Sequence, residues 1–267
     1  RFLTGGGRYT ADIDLPGQPH AVGARSPPAH ARLLGIDGLE TARAAPGVRL
    51  VLTAAEQAED RIGEIPCRAL VKNSDGTPCA LAPRPLLAFG RVRHVGDPIA
   101  LVVADTLEQA RDAGDLIAGR YAPLPAVVEA DRALALGVPA LWDHAPNNLC
   151  FDWSAGDAAT VAQAFKRAHK IVRLELVNNR LVVCAMEPRA ALGDFDPSSG
   201  RSTLITGGQG TAGLQGAFAD AVLRIPRSKL RVITPDVGGG FGMKAFPHPE
   251  QGLVLWAARK LARPVKW

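Results

Sequence analysis

The sequence predicts an α+β chain, on three observations. Short apolar strands alternate with short capped helices, but without the strict β-α-β rhythm of a doubly wound sheet. At 267 residues the chain is long enough for one large domain or two smaller ones. Its hydrophobic fraction of 47% supplies a core, while aromatics reach only 5%, so packing must lean on Ala, Val and Leu.

Residues Arg1–Asp12 are glycine-rich and polar and read as an extended arm. His20–Ser26 and Ala31–Asp37 read as strands around Pro27-Pro28. Leu39–Ala45 is a short helix stopped by Pro46-Gly47, and Val48–Leu52 a further strand. Thr53-Ala-Ala-Glu56 is a capping box, in which hydroxyl and carboxylate each satisfy an orphan N–H. Arg61–Leu87, with several prolines, is read as a long loop. Ile99–Ala104 is an unbroken apolar run, the mark of a strand buried on both faces. Thr106, with Gln109 three positions on, opens a helix whose apolar positions Leu107, Ala110, Gly114, Ile117 and Ala118 recur at helical spacing. Val127-Val128 reads as a short strand.

Asp131–Asp152 has little periodicity and reads as a connection, placing a domain boundary near 135–150. Asp157 caps a helix carrying Val161, Ala164, Phe165 and Ala168 on one face. Ile171–Val177 alternates, with Val172, Leu174 and Leu176 set to face a core. Ala190–Phe195 and Ser202–Thr206 flank the turn Asp196–Gly200, and Ala212–Leu223 can be helical. Lys229–Thr234 is a strand. Pro249 opens a last helix reaching Arg263, and Pro264–Trp267 looks like the first residues of another strand, implying a polypeptide that continues.

Net charge is +5 and basic residues are scattered, which argues against nucleic-acid binding. No apolar run is longer than Ile99–Ala104, far short of a membrane span. No secretion leader is visible, and the chain is read as cytoplasmic. Cys67, Cys79, Cys150 and Cys184 lie far apart with no C-x-x-C, so neither zinc nor an iron–sulfur cluster is indicated, and reduced, mostly buried thiols are expected.

The chemistry centres on Arg231–Lys244, a strand running into Gly238-Gly239-Gly240-Phe241-Gly242. Glycines free the backbone so that successive N–H groups can converge on an anion or an oxo group. A P-loop is excluded: Gly238 and Lys244 have its spacing, but Met243 and Ala245 stand where it needs Gly and Ser or Thr. Upstream, Gly208-Gln-Gly-Thr-Ala-Gly213 is a literal G-x-G-x-x-G. With Gly208, Gly210 and Gly213 at a strand-to-helix turn and Asp236 as ribose acid, it supports a Rossmann-type, NAD-dependent alternative. Glu187 with Arg189 reads as an ion pair anchoring its strand, in preference to an acid–base pair. His248 and Glu250 are too few ligands for a metal. His94 and His144 are read as hydrogen-bonded structural histidines.

Several segments, taken in order, carry a family resemblance. They include Gly7–Asp12, His20–Ser26, Ala29–Arg32, Pro46–Val48, Val95–Val103, Met186-Glu-Pro-Arg189, Thr206–Gly210, Val232–Lys244 and Arg263–Trp267. The chain resembles the molybdenum-binding large subunit of the molybdenum hydroxylases: xanthine dehydrogenases, aldehyde oxidoreductases and aerobic carbon monoxide dehydrogenases. The resemblance implies an α/β-hammerhead domain at 1–130, a linker at 131–150, and the amino-terminal part of a molybdopterin-binding domain at 151–267. It implies a cofactor, molybdopterin cytosine dinucleotide carrying Mo, held by Gln209 and by the backbone of Gly239, Gly240, Phe241 and Gly242. No protein side chain need ligate the metal.

The same resemblance places the catalytic base outside this chain. It implies partners: the remainder of the molybdenum subunit, an iron–sulfur subunit and an FAD subunit. The reaction implied inserts oxygen from water into an aldehyde or N-heterocycle. Ala245 stands where purine-oxidising members carry glutamate, which argues against a purine. The remaining alternative is a non-catalytic assembly module in which the glycine run is a packing device.

Overall fold

The computed structural model describes residues 1–67, 70–82, 84–179 and 181–267. In chain order the elements are β1 (His20–Arg25), β2 (Ala31–Asp37), α1 (Leu39–Ala44), β3 (Val48–Thr53), α2 (Ala54–Glu59), β4 (Arg91–Val92), β5 (Pro98–Ala104), α3 (Leu107–Asp115) and β6 (Ala118–Pro123). After a long irregular stretch come α4 (Ala158–Arg167), β7 (Ala191–Asp196), β8 (Arg201–Thr206), α5 (Thr211–Gly216), β9 (Leu230–Ile233), α6 (Pro249–Leu261) and β10 (Val265–Lys266). Helix α5 runs on as a wide π-helical segment, Ala217–Leu223.

A seven-stranded sheet runs in the order β3-β5-β1-β10-β7-β8-β9, and a three-stranded sheet in the order β4-β2-β6. Strand β10 joins the early and late strands, bonding parallel to β1 through His20↔Lys266 and antiparallel to β7. β5 is buried along its whole length because β3 and β1 flank it. Its Leu101 and Val103 enter one apolar cluster, while Ala100 and Val102 enter another, the period of two expected of a strand. The capping boxes read at Thr53 and Thr106 both form.

Helix α6 organises the larger cluster. Leu253, Val254, Leu255 and Trp256 are all buried beside Phe218, Leu204 and Leu101. Each large apolar side chain taken from water is worth ~1.5–3 kcal/mol. The helix approaches β7 so closely that a Cβ on Gly193 would lie 2.5 Å from the Val254 carbonyl oxygen. Trp256 Nε1 donates to Asp60 at the end of α2 (2.7 Å), and Lys260 Nζ pairs with the same carboxylate (2.6 Å).

Several expectations are corrected. Val127-Val128 is irregular, and the strand after α3 is Ala118–Pro123 instead. Ile117 and Ala118 fit helical spacing, yet α3 ends at Asp115. Ile171–Val177 alternates in sequence but forms no strand; Ile171, Val172, Leu174 and Leu176 are all exposed. Val161 and Phe165 of α4 likewise face water, although Asp157 caps that helix by accepting from Thr160 N (2.9 Å). None of the four cysteines is buried: Cys67 and Cys79 are half-buried, Cys150 and Cys184 exposed. The amino-terminal arm contains two 3-10 turns, Phe2–Thr4 and Thr10–Asp12.

Glu187 and Arg189 do not pair with each other. Arg189 reaches Glu250 at the start of α6 (2.8 Å), and Arg25 at the end of β1 reaches the same carboxylate (2.6 Å). Burial pushes the Glu250 carboxyl up, but Arg189 and Arg25 outweigh it and hold it below the usual range. Its stabilising contribution is therefore fully present above the ordinary carboxylate range and is lost on acidification. Glu250→Gln strands two partly exposed guanidinium groups. It should cost about 2–3 kcal/mol at neutral pH, with a smaller difference in acid, read from urea unfolding at both pH values.

Candidate functional site

Parallel strands β8 and β9 deliver the two halves of the site to one end of the sheet. Gly207–Gly210 follows β8, and the glycine run follows β9. The turn at Gln209 is pinned by its own N–H, which donates to the Lys244 carbonyl (3.0 Å). Its side chain is pinned as well: Oε1 accepts from Gly242 N–H at 3.0 Å. Because a backbone N–H can only donate, this contact fixes which end of the amide faces the loop. The Gln209 Nε2 group is left with no hydrogen bond to the described residues.

The loop conformation needs its glycines. Gly239 and Gly242 have φ of 103° and 82°, and Phe241 itself sits at 48°. A Cβ on Gly240 would lie 2.5 Å from Gln209 Oε1 and 2.8 Å from its Cγ. The N–H groups of Gly239, Gly240 and Phe241 make no hydrogen bond to the described residues, whereas Gly238 N–H donates to Glu187 Oε2 (2.8 Å). Successive free amides beside an oriented carboxamide suit a group that presents acceptor oxygens.

Beneath the loop lies an ion pair that sequence reading missed. Lys244 Nζ is 2.7 Å from Glu187 Oε2 and 2.8 Å from the Glu187 carbonyl oxygen, and only 1% of the lysine side chain is exposed. Glu187 N in turn donates to Gly238 O (3.1 Å). Two buried oxygens nearby, Glu187 Oε1 and Thr234 Oγ1, have no hydrogen-bond partner among the described residues. Lys244 stood in the sequence only as a failed P-loop lysine; its burial was not encoded in local spacing. His248 Nε2 donates to the Met243 carbonyl (2.9 Å), while Glu250 is taken up by the arginines. No cluster of metal-ligating side chains occurs among the described residues. His94 pairs with Asp97 at 2.7 Å, as a structural histidine would.

Gln209, Phe241 and Gly242 are exposed, so the described residues build one open wall and not a closed chamber. The dinucleotide alternative is half met. β8, α5 and β9 do form a strand-helix-strand unit with parallel strands. Asp236, however, is engaged by the amino-terminal arm: it accepts from the Arg1 guanidinium and from Arg8 N (2.8 Å), while its own N–H donates to Arg8 O (3.0 Å).

The chain is similar to known proteins along nearly its whole length. Residues 4–125 match the family model "Aldehyde oxidase and xanthine dehydrogenase, a/b hammerhead domain", and residues 141–267 match "Molybdopterin cofactor-binding domain". The chain belongs to the molybdenum hydroxylase family. Within it, the chain is 35% identical over its full length to the nicotine 6-hydroxylase large subunit of Paenarthrobacter nicotinovorans, and covers 32% of that protein. It is 32% identical over its full length to the carbon monoxide dehydrogenase large chain of Hydrogenophaga pseudoflava, covering 33% of it. Quinoline 2-oxidoreductase from Pseudomonas putida 86 superposes with a TM-score of 0.85 at 36% identity, over all of this chain and 33% of that one. The chain thus spans about a third of the length of the molybdenum hydroxylase large subunits it matches. The hammerhead domain followed by a molybdopterin-binding domain is the α+β arrangement read from the sequence.

Two substitutions separate support from contact. Glu187→Gln leaves Lys244 buried without a counter-charge and should destabilise the protein by about 3–5 kcal/mol in chemical unfolding. Gly240→Ala should leave stability within about 1 kcal/mol, because the Gln209 side chain can swing away. It should instead abolish the Gly242–Gln209 hydrogen bond, seen as faster amide exchange at Gly242.

Proposed function

We propose that this chain forms part of the molybdenum-cofactor subunit of a hydroxylase that oxidises an N-heterocycle or an aldehyde, with water as the oxygen source. The observation that carries the reading is the Gln209 carboxamide, held by Gly242 N–H beside three free backbone N–H groups. In this reading Gln209 Nε2 and the amides of Gly239, Gly240 and Phe241 hold the cofactor, molybdopterin cytosine dinucleotide. When bound, that group supplies the two-electron redox chemistry. The residues of this chain bind and orient it. Fixed N–H dipoles stabilise negative charge on oxygen without having to reorganise during the reaction. The Glu187–Lys244 pair keeps those dipoles aimed.

The N-heterocycle side of the proposal is supported by the names of relatives, nicotine 6-hydroxylase and quinoline 2-oxidoreductase. The aldehyde side is supported by the aldehyde oxidoreductase subunit PaoC of Escherichia coli, 30% identical over 98% of this chain. Ala245 leaves no carboxylate at the end of the loop, which disfavours purines. We assign residues 1–130 to the hammerhead unit, 131–150 to the connection and 151–267 to the cofactor-binding part. The open wall is closed by further large-subunit polypeptide, which brings the catalytic base, while iron–sulfur and FAD subunits carry electrons away in the cytoplasm. No helix among the described residues is long and apolar enough to cross a membrane.

The test is metal analysis of the purified complex together with turnover. Molybdenum should be present in the native complex. Gly240→Val should lose it, since the larger side chain crowds the free amides of Gly239–Phe241 as well as displacing Gln209. Gln209→Ala should retain most of the metal but lose about 100-fold or more in kcat, the scale for removing one preorganised donor. A native complex free of molybdenum that binds NAD tightly, with binding lost in Asp236→Ala, would replace this reading with the dinucleotide one.

A further inference from the structure

A second concave site lies where the end of β1, the segment around β4, the 131–150 connection and the start of α6 meet. Its volume is about 350 Å³. Five arginines line it: Arg25, Arg84, Arg91, Arg93 and Arg189. Two carboxylates face it, and both are already engaged. Glu250 is shared between Arg25 and Arg189. Asp97 is bound by His94 (2.7 Å) and by Arg93 N–H (2.7 Å).

Three guanidinium groups are therefore left short of counter-charge. Among the described residues, Arg84 reaches only the Pro247 carbonyl, at 3.5 Å. Arg91 reaches Asp143 at 3.3 Å, a carboxylate that is almost fully exposed and so well screened. Arg93 Cζ lies over the Trp142 ring, 3.6 Å from its centroid, and its Nε donates to Leu141 O (3.2 Å). That ring contact and the one hydrogen bond hold the Arg93 side chain in place, while its terminal nitrogens make no hydrogen bond to the described residues. Burial, and then the proximity of Arg91, lower the pKa of Arg93, as expected where like charges gather out of water. Holding such groups together costs free energy unless an anion joins them, and a concave wall of one sign concentrates anions.

We propose that this cavity is a binding site for a phosphate-bearing ligand, with Arg84, Arg91 and Arg93 as its anion contacts. Planar forks pair bidentately with phosphate oxygens, and Arg93 is preorganised for that geometry by Trp142. The chamber is large enough for a diphosphate with ordered water. The proposal does not depend on the role assigned to Gln209.

The probe is inorganic pyrophosphate, titrated calorimetrically into the purified protein at fixed ionic strength. One saturable site is expected, accompanied by a change in tryptophan emission that Trp142→Phe removes. Arg84→Gln combined with Arg93→Gln should weaken binding at least tenfold, whereas Gly240→Val should bind as the native protein does. Independently of any variant, pyrophosphate should slow phenylglyoxal modification of Arg84 and Arg93, mapped by mass spectrometry. Absence of saturable binding, undiminished binding by the double variant, or no protection of these arginines would overturn the proposal. Tighter binding of a glutamate-rich peptide than of pyrophosphate would overturn it as well, in favour of docking of an acidic protein segment.

Discussion

Lys244 keeps its charge almost wholly out of water, and Glu187 is what makes that position tolerable. The carboxylate also takes the N–H of Gly238, and the two backbones exchange a further hydrogen bond through Glu187 N and Gly238 O. The glycine run is thus gripped at both ends, at Gly238 and at Lys244, although its own residues have minimal conformational restraint. Removing either charge would leave the other buried and unpaired, which is why such a pair specifies one loop shape more than it adds to net stability.

That grip matters because the loop is the continuation of one sheet. β7, β8 and β9 carry Gln209 and the glycines, and β10 joins them to β1 and β5 in a single ladder. Helix α6 packs on β7 and β8, and its first turn holds Glu250 between an arginine from each side of the ladder. His248, at the same helix start, donates to Met243 at the end of the glycine run. The arginine-lined cavity and the glycine loop therefore share one rigid support.

Much of this was legible in local sequence. β1, β5, the capping boxes of α2 and α3, and Pro249 at the head of α6 follow from short-range rules, because each is decided by side chains within a few positions of one another. The adjacency of Gln209 and Gly242 came from resemblance, since nothing local ties residues 33 apart. Pairings across long separations were not legible: Glu187 with Lys244 is 57 positions apart. β4 escaped notice because it is only two residues long, and β6 because Ala-Gly-Arg-Tyr-Ala-Pro has little strand preference; Arg120 and Tyr121 pair there with β2 by register. The core-facing reading of α4 and of Ile171–Val177 does not hold: both stretches are exposed and the second forms no strand. The surfaces they would cover are not made by the described residues.

That last feature has a consequence for the chain itself. The described part of 170–182 has no backbone-to-backbone hydrogen bond to other described residues, yet it carries Ile171, Val172, Leu174, Leu176, Leu181 and Val182 in the open. Bare main chain flanked by branched aliphatic side chains is a template for uncontrolled strand addition and a substrate for proteases. In this chain the stretch is therefore the place most open to strand addition and to cleavage.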